Sequence, residues 1–298
     1  MTDPPSLVCR GRSLDTSSPL VMGVVNATPD SFSDRTRLTT VEARVGASLQ
    51  LLDDGADILD VGGQSGITSV PEISEDEEIE RVIPLLDAIV AARPDAVISV
   101  DTYRPRVARA AIEAGASLIN DVSGLQHPEI VELCARAECA LVLMHTRVAP
   151  KKKLLDPALY DDVTADVVDM LTDRWRQAGR LGLGDEAIVL DPGIDYAKTP
   201  HQSVTVLQEI DRVAALGRPI LFALSRKDFI GAITQRPPAE RLGGTLAAIG
   251  YIGQRPGAIY RVHDVAQTVD FLRVQAALTQ GVGLLPDAVL HEDLRREG

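Results

Sequence analysis

The polar residues of this chain fall where chemistry can use them. A series of short apolar runs is each followed at once by a side chain that carries charge or a hydrogen bond. In chain order these are Asn26, Asp60, Asp101, Asn120 with Asp121, His145, Asp191, the run Ser225-Arg226-Lys227, and Arg261 with His263. Singly, each has a bland account. Asp101 before Thr102, and Asp264 after His263, can cap helices, and Asn120-Asp121 can close an Asx turn. His145 can be a satisfied half-buried histidine, and Lys151–Lys153 reads as a solvated charge run. A purely structural chain has no reason to repeat the coincidence at every run.

The set divides by chemistry. Asp101, Asn120 and Asp191 are acceptors or amides, suited to a flat heterocycle that presents several N–H donors. Leaving either side of such a pairing unmade costs kilocalories, so the pairing fixes orientation. Arg261, His263 and Asn26 suit phosphate oxygens, with a divalent ion, and a helix opening at Asp264 would aim its positive end at the same place. Lys227 can serve either group. The implied ligand has a base-like ring at one end and phosphate at the other.

The apolar runs are Leu20–Val25, Ile58–Val61, Val97–Asp101, Leu118–Asn120, Leu141–Met144, Ile188–Asp191, Ile220–Leu224 and Ile259–Val262. Short and nearly all apolar, they read as strands buried on both faces of a parallel sheet. Six of the segments between them carry helix signals, and a further helix follows the eighth run. Thr39 with Glu42, and Ser74 with Glu77, fit the S/T-x-x-E capping box. Thr102 is read as the cap of a helix that stops at Gly115. Thr199-Pro200 matches an N-cap with a first-turn proline, and Asp264 caps a last helix running to about Thr279. Eight strand–helix repeats with right-handed crossovers predict the α/β class and a single (β/α)8 TIM barrel. The rival is a doubly wound open sheet, which normally carries a Gly-rich fingerprint where this chain has Asn26-Ala27-Thr28-Pro29. The expected organisation is a disordered N-terminal extension over 1–19, the barrel over 20–282 and a C-terminal tail over 283–298. In a barrel the loops after the strands build the active site, so the polar residues above converge on one face.

Composition narrows the partners. The 298 residues carry 43 acidic against 30 basic side chains, a formal net charge of −13, and the pI is about 4.8. Both nucleic acid and anionic membranes require a basic footprint, so neither is expected as a partner. No apolar run approaches the roughly 20 residues that span a bilayer. Cys9, Cys134 and Cys139 form no CxxC, and their odd number points to reduced thiols in a cytoplasmic protein.

At the quoted residues the chain resembles the dihydropteroate synthases. The resemblance starts at Met22-Gly23-Val24-Val25-Asn26-Ala27-Thr28-Pro29-Asp30-Ser31-Phe32-Ser33-Asp34. It continues through Asp60-Val61-Gly62-Gly63, Ser99-Val100-Asp101-Thr102, Asn120-Asp121-Val122-Ser123-Gly124 and Met144-His145. It ends with Asp191-Pro192-Gly193, Ser225-Arg226-Lys227 and Arg261-Val262-His263-Asp264-Val265. It covers about residues 20–280 in the family's order; each segment is weak alone, and the ordered set is specific. The resemblance implies a transferase of folate biosynthesis that condenses (7,8-dihydropterin-6-yl)methyl diphosphate with p-aminobenzoate and releases diphosphate. It implies that Asp101, Asn120, Asp191 and Lys227 hold the pterin, with Met144 packed on its ring. Asn26 would bind Mg2+, and Arg261 with His263 would hold the diphosphate, so that Lys227, Arg261 and His263 act on the reacting groups. A homodimer packed through the last helices follows from the same analogy.

The chain also departs from the pattern in the second-substrate region, which comprises Ser225, Arg226, Gly66, Ile67 and Tyr196. Arg35-Thr36-Arg37 replaces the usual paired glycines, and Gly66 and Ile67 stand where the family has threonine and arginine. Asp195 replaces a glycine, and Tyr196 a phenylalanine. This resembles the divergent second synthase copies of some actinobacteria and leaves two alternatives open. One is a pterin-binding paralog with weak or no synthase activity on p-aminobenzoate or another amine. The other is a folate-dependent methyltransferase-type module, which would have no need of Arg261-Val262-His263.

Overall fold

The computed structural model describes residues 4–27, 40–64, 70–283, 285 and 287–295. Two short strands, β1 (Leu7–Cys9) and β2 (Arg12–Leu14), pair antiparallel as a hairpin. The eight strands that follow are β3 (Leu20–Asn26), β4 (Ile58–Gly62), β5 (Val97–Asp101), β6 (Leu118–Asp121), β7 (Ala140–Met144), β8 (Ile188–Asp191), β9 (Ile220–Phe222) and β10 (Ala258–Val262). Each pairs in parallel with its neighbours, and β10 closes on β3, giving the (β/α)8 barrel. Their burial is nearly continuous, as strands covered by the barrel interior on one side and helices on the other require.

Every strand of the barrel is followed by helix. These are α1 (Val41–Asp53), α2 (Glu75–Ala92), α3 (Pro105–Glu113), α4 (Glu129–Ala137), α5 (Val163–Arg180), the pair α6 (Pro200–Gln208) and α7 (Ile210–Ala214), the pair α8 (Asp228–Thr234) and α9 (Leu242–Ile252), and α10 (Val265–Gln280). Thr199 forms a complete capping box with Gln202 at α6. Ser74 accepts the Glu77 amide at α2, but the Glu77 carboxylate turns to Arg81 instead of completing the box.

Three local expectations are corrected. The cap of α1 is Thr40, which accepts the Ala43 amide; Thr39 lies outside the described residues. Thr102 does not cap α3, because that helix starts at Pro105, whose fixed φ suits a first turn. Asp264 stands at the N-cap of α10 but makes no capping bond, because its carboxylate is taken by Arg226.

The larger correction concerns residues 1–19, expected to be disordered. The hairpin of β1 and β2 occupies residues 7–14, with Leu7 and Cys9 fully buried. Arg10 ties it to the body: its backbone amide donates to Glu138 O, and its guanidinium to Ile112 O and Ala116 O. Burial of two apolar residues and satisfaction of these carbonyls supply order that three-residue strands lack alone. Beyond Gln280 the described residues are exposed and hold one turn of 3-10 helix, Glu292–Leu294.

Candidate active site

Several of the polar side chains on the barrel strands are bonded to one another. Asp60, in the middle of β4, is fully buried. It accepts the Ser99 hydroxyl at 2.5 Å, the Asn120 amide at 3.2 Å and Arg261 Nε at 2.6 Å. Arg261 Nη2 then donates to Asp101 at 2.9 Å. Burial lowers the pKa of the guanidinium, but Asp60 and Asp101 more than offset it, so Arg261 stays firmly charged. Asp101 moves the other way. Burial, then the neighbouring Asp60, Glu78 and Asp121, push its carboxyl up to about 7 against the pull of Arg261. With 26% of its side chain still open, Asp101 is the half of this cluster that a ligand can reach. Asp101 and Asn120 of the acceptor set and Arg261 of the phosphate set, separate by residue type, therefore share one network.

The ring-binding candidates sit on β6 and at the ends of β7 and β8, with Lys227 at the start of α8. Asp191 is 3% exposed and accepts the Gly193 amide at 2.7 Å. Burial raises its pKa, opposed by that amide and by the charges of Lys227, Lys198 and Arg261. Asn120 gives its amide to Asp60, while its Oδ1 is buried and accepts nothing. Asp121 closes the Asx turn onto the Ser123 amide at 2.7 Å. Met144 is buried and pairs in register with Asp191. Lys227, at the N-cap of α8, holds its ammonium 4.5 Å from the centre of the Tyr196 ring, a cation–π contact.

On the phosphate side, Ser225 Oγ lies 2.9 Å from His263 Nδ1 and accepts the His263 backbone amide at 3.3 Å. With the hydroxyl donating to Nδ1, we assign the ring proton to Nε2, where it can donate to an anion. Burial, then Arg226 and Arg261, lower the His263 pKa to about 4, so the ring is neutral before a ligand enters. Arg226 forms a two-pronged pair with Asp264, at 2.9 and 3.2 Å, and so braces the loop behind Ser225. Asn26 ends β3 in register with Gly62. Gly66, Ile67, Arg35 and Arg37 lie outside the described residues.

A family model described as "pterin binding enzyme" matches residues 22–263. The chain belongs to this family. Dihydropteroate synthases are its relatives. The enzyme from Bacillus subtilis is 38% identical over 266 residues, covering 89% of this chain and 90% of that protein. The enzyme from Escherichia coli is 38% identical over 272 residues, covering 91% and 95%. Among solved structures, the Xanthomonas albilineans synthase with 4-aminobenzoic acid superposes with a TM-score of 0.84 at 42% identity, covering 94% of this chain and 100% of that one. The same synthase has been solved in complex with 7,8-dihydropteroate, with a TM-score of 0.81.

Within this pterin-binding barrel, several residues escaped assignment from sequence. Asp60 appeared only as a polar strand end, although it is the hub of the Arg261 network. Asp195, in the left-handed region at φ 65°, receives the Asp228 amide at 2.5 Å and the Phe229 amide at 3.3 Å. Its other oxygen accepts the Ser203 hydroxyl at 3.0 Å. It thereby caps the helix that begins after Lys227. Its place in Asp-Pro-Gly-Ile-Asp was the one available signal, because an aspartate tolerates positive φ better than most residues. Lys198 had no signal at all, yet it is 1% exposed, and burial lowers its pKa to about 7.

Proposed function

We propose that the chain joins the methylene carbon of a dihydropterin diphosphate to the amine of p-aminobenzoate, releasing diphosphate and forming 7,8-dihydropteroate. One observation carries the reading. Asn120 Oδ1, on β6, is a buried acceptor with no donor, and Asp191, at the end of β8, is a nearly inaccessible carboxyl. A flat ring with amino and ring N–H groups supplies the missing donors. Met144 offers that ring an apolar wall, and Asp101 and Lys227 its polar edges.

Arg261 and the Nε2–H of His263 then face the diphosphate. As the carbon–oxygen bond breaks, its electron pair leaves on diphosphate, where these donors stabilise the growing charge. The cation left on the methylene is stabilised by the electron-rich dihydropterin. The aromatic amine attacks it, a carbon–nitrogen bond forms, and the amine loses a proton. No enzyme nucleophile is required; positioning and charge stabilisation carry the rate. Asn26 offers one oxygen to Mg2+. The described residues contain no group of three His, Cys, Asp or Glu able to hold a metal, so this donor set fits an ion that arrives on the diphosphate with its own waters. When bound, Mg2+ neutralises charge on the leaving oxygens.

The acceptor amine is tested by measuring diphosphate release with and without p-aminobenzoate. Release that requires both substrates supports the reading. Pterin binding without turnover assigns the chain to the binding-paralog class, and replacing Gly66 by Thr with Ile67 by Arg then asks whether the altered loop is responsible. Calorimetry with Asp191→Ala checks the ring site: affinity should fall by about 2–5 kcal/mol, as for loss of one member of a buried charged pairing.

The partner expected from the same reading is a second copy of the chain. A groove of about 320 Å³ lies between α6, α8 and α9. It is lined by Val204, Leu207, Phe229, Ile230, Ile233 and Tyr251, and Ile233 and Tyr251 are 68% and 63% exposed. No helix among the described residues is long and apolar enough to cross a membrane. Three buried, unpaired thiols suit a reducing cytoplasm.

A further inference from the structure

The turn that joins Asp191 to α6 carries two groups of the proposed site, Asp191 and Tyr196, and lacks regular structure to hold it. Gly193, Asp195 and Ala197 all have positive φ, at 65°, 65° and 49°. A Cβ on Gly193 would sit 1.9 Å from His145 O, so the turn is pressed against the end of β7. Side chains must fix it.

Lys198 meets that need. Its buried ammonium lies 2.7 Å from His145 Nδ1 and donates to Gly193 O at 3.0 Å and Tyr196 O at 3.3 Å. Three ammonium hydrogens face three acceptors, so nothing is left unmade. If Nδ1 accepts, the imidazole proton is on Nε2, which points at Asp166 Oδ1 2.7 Å away on α5. Arg147 holds the same carboxylate through both of its oxygens. The His145 backbone amide also donates to Asp191 O at 2.8 Å. A continuous line therefore runs from α5 through the end of β7 to both ends of the turn.

We propose that Lys198 is a positioning residue for pterin binding: its three hydrogen bonds to His145, Gly193 and Tyr196 hold the turn that presents Asp191 and Tyr196. The inference rests on the pterin reading above. All three ammonium hydrogens of Lys198 are taken by His145, Gly193 and Tyr196, so it acts through the turn, and the Asp166–His145 pair fixes the imidazole it leans on.

The test is a double-mutant cycle of Lys198→Met and Asp166→Asn, with pterin affinity by calorimetry, thermal unfolding, and 15N NMR of the His145 ring. Lys198→Met should remain folded and weaken pterin binding at least about 20-fold, since it strands three buried acceptors at the turn. Asp166→Asn should weaken it about threefold, and the double variant should bind no worse than Lys198→Met, because the two act along one line. The wild-type ring should show a single Nε2–H tautomer, lost in Lys198→Met. A purely structural lysine would lower the unfolding temperature while the folded protein kept its affinity. That result, or additive losses in the cycle, overturns the proposal. If Lys198→Met fails to fold, the wild-type ring spectrum and Asp166→Asn decide: an Nδ1–H tautomer, or unchanged affinity in Asp166→Asn, overturns it. Should the wild type bind no pterin, the functional reading fails, and the ring spectrum still judges the clamp.

Discussion

Arg261 Nε donates to Asp60 Oδ2 at 2.6 Å across 201 positions of sequence, joining the last barrel strand to the second. The contact stitches the barrel where β10 and β4 flank β3, and it preorganises the guanidinium for an anionic ligand. Asp60 is fully buried and serves three donors, so Asp60→Ala would leave Arg261, Ser99 and Asn120 short of an acceptor. Breaking a buried pair in this way costs about 3–5 kcal/mol. Urea unfolding should register a loss of that order, with diphosphate affinity falling as well. A change below about 1 kcal/mol with unaltered binding would refute the assignment.

The strands of this barrel were legible because burial on both faces leaves an unbroken apolar run that ends at a polar residue. Every expected strand starts within one residue of its observed start, and (β/α)8 topology brings the residues at the carboxyl ends of the strands to one end of the barrel. The hairpin over residues 7–14 was not legible. Two three-residue strands carry too little pattern, and their order comes from Leu7, Cys9 and Arg10 docking on distant elements. Partner choice was equally hidden. Residue type suggested that Asp264 caps a helix and that Arg261 waits for phosphate, but a charged side chain bonds whatever the fold brings close. Asp264 found Arg226, and Arg261 found two carboxylates. Lys198 shows the extreme case, since nothing local marks a lysine for burial.

His263 predicts a proton uptake. Its ring is held neutral, with a pKa of about 4, by burial and by Arg226 and Arg261. A diphosphate placed beside it favours the charged form and raises that pKa toward neutrality. At pH 6 the free protein carries little charge on this ring, so binding should draw in a proton and tighten as pH falls from 7 to 5. Diphosphate itself titrates in this range, and His263→Asn separates the two sources. Calorimetry in buffers of different ionisation enthalpy should show a smaller proton uptake for the variant; equal uptake would remove His263 from the diphosphate site.

Asp195 joins two costs that substitution can separate. Its backbone sits at positive φ, while its carboxylate caps α8 through the Asp228 and Phe229 amides. Asp195→Gly relieves the first and loses the second, so stability should drop by about 1 kcal/mol. Asp195→Ala loses the cap and also places an ordinary Cβ in the left-handed region, adding about 1 kcal/mol more. Chemical unfolding of the two variants should therefore rank alanine below glycine. The reverse order would mean that neither the cap nor the backbone geometry is as described.

The outer face of α8 and α9 makes the last prediction, on assembly. Ile233 and Tyr251 are large, exposed and flank a groove whose walls are apolar side chains. Contiguous apolar surface of this kind is costly to leave in water, and self-association through it would bury it. Helix α8 begins directly after Lys227, so contacts on this face also brace the element that carries a ring-binding residue. Sedimentation should find the wild type dimeric at micromolar concentration. The variant with Ile233→Asp and Tyr251→Asp should sediment as a monomer. Both substitutions are at exposed positions, so its unfolding temperature at low protein concentration should match that of the dissociated wild type. Pterin affinity should fall modestly, by about two- to fivefold, through loss of support for α8. A monomeric wild type, or a variant that stays dimeric, would show that this face is not where two copies meet.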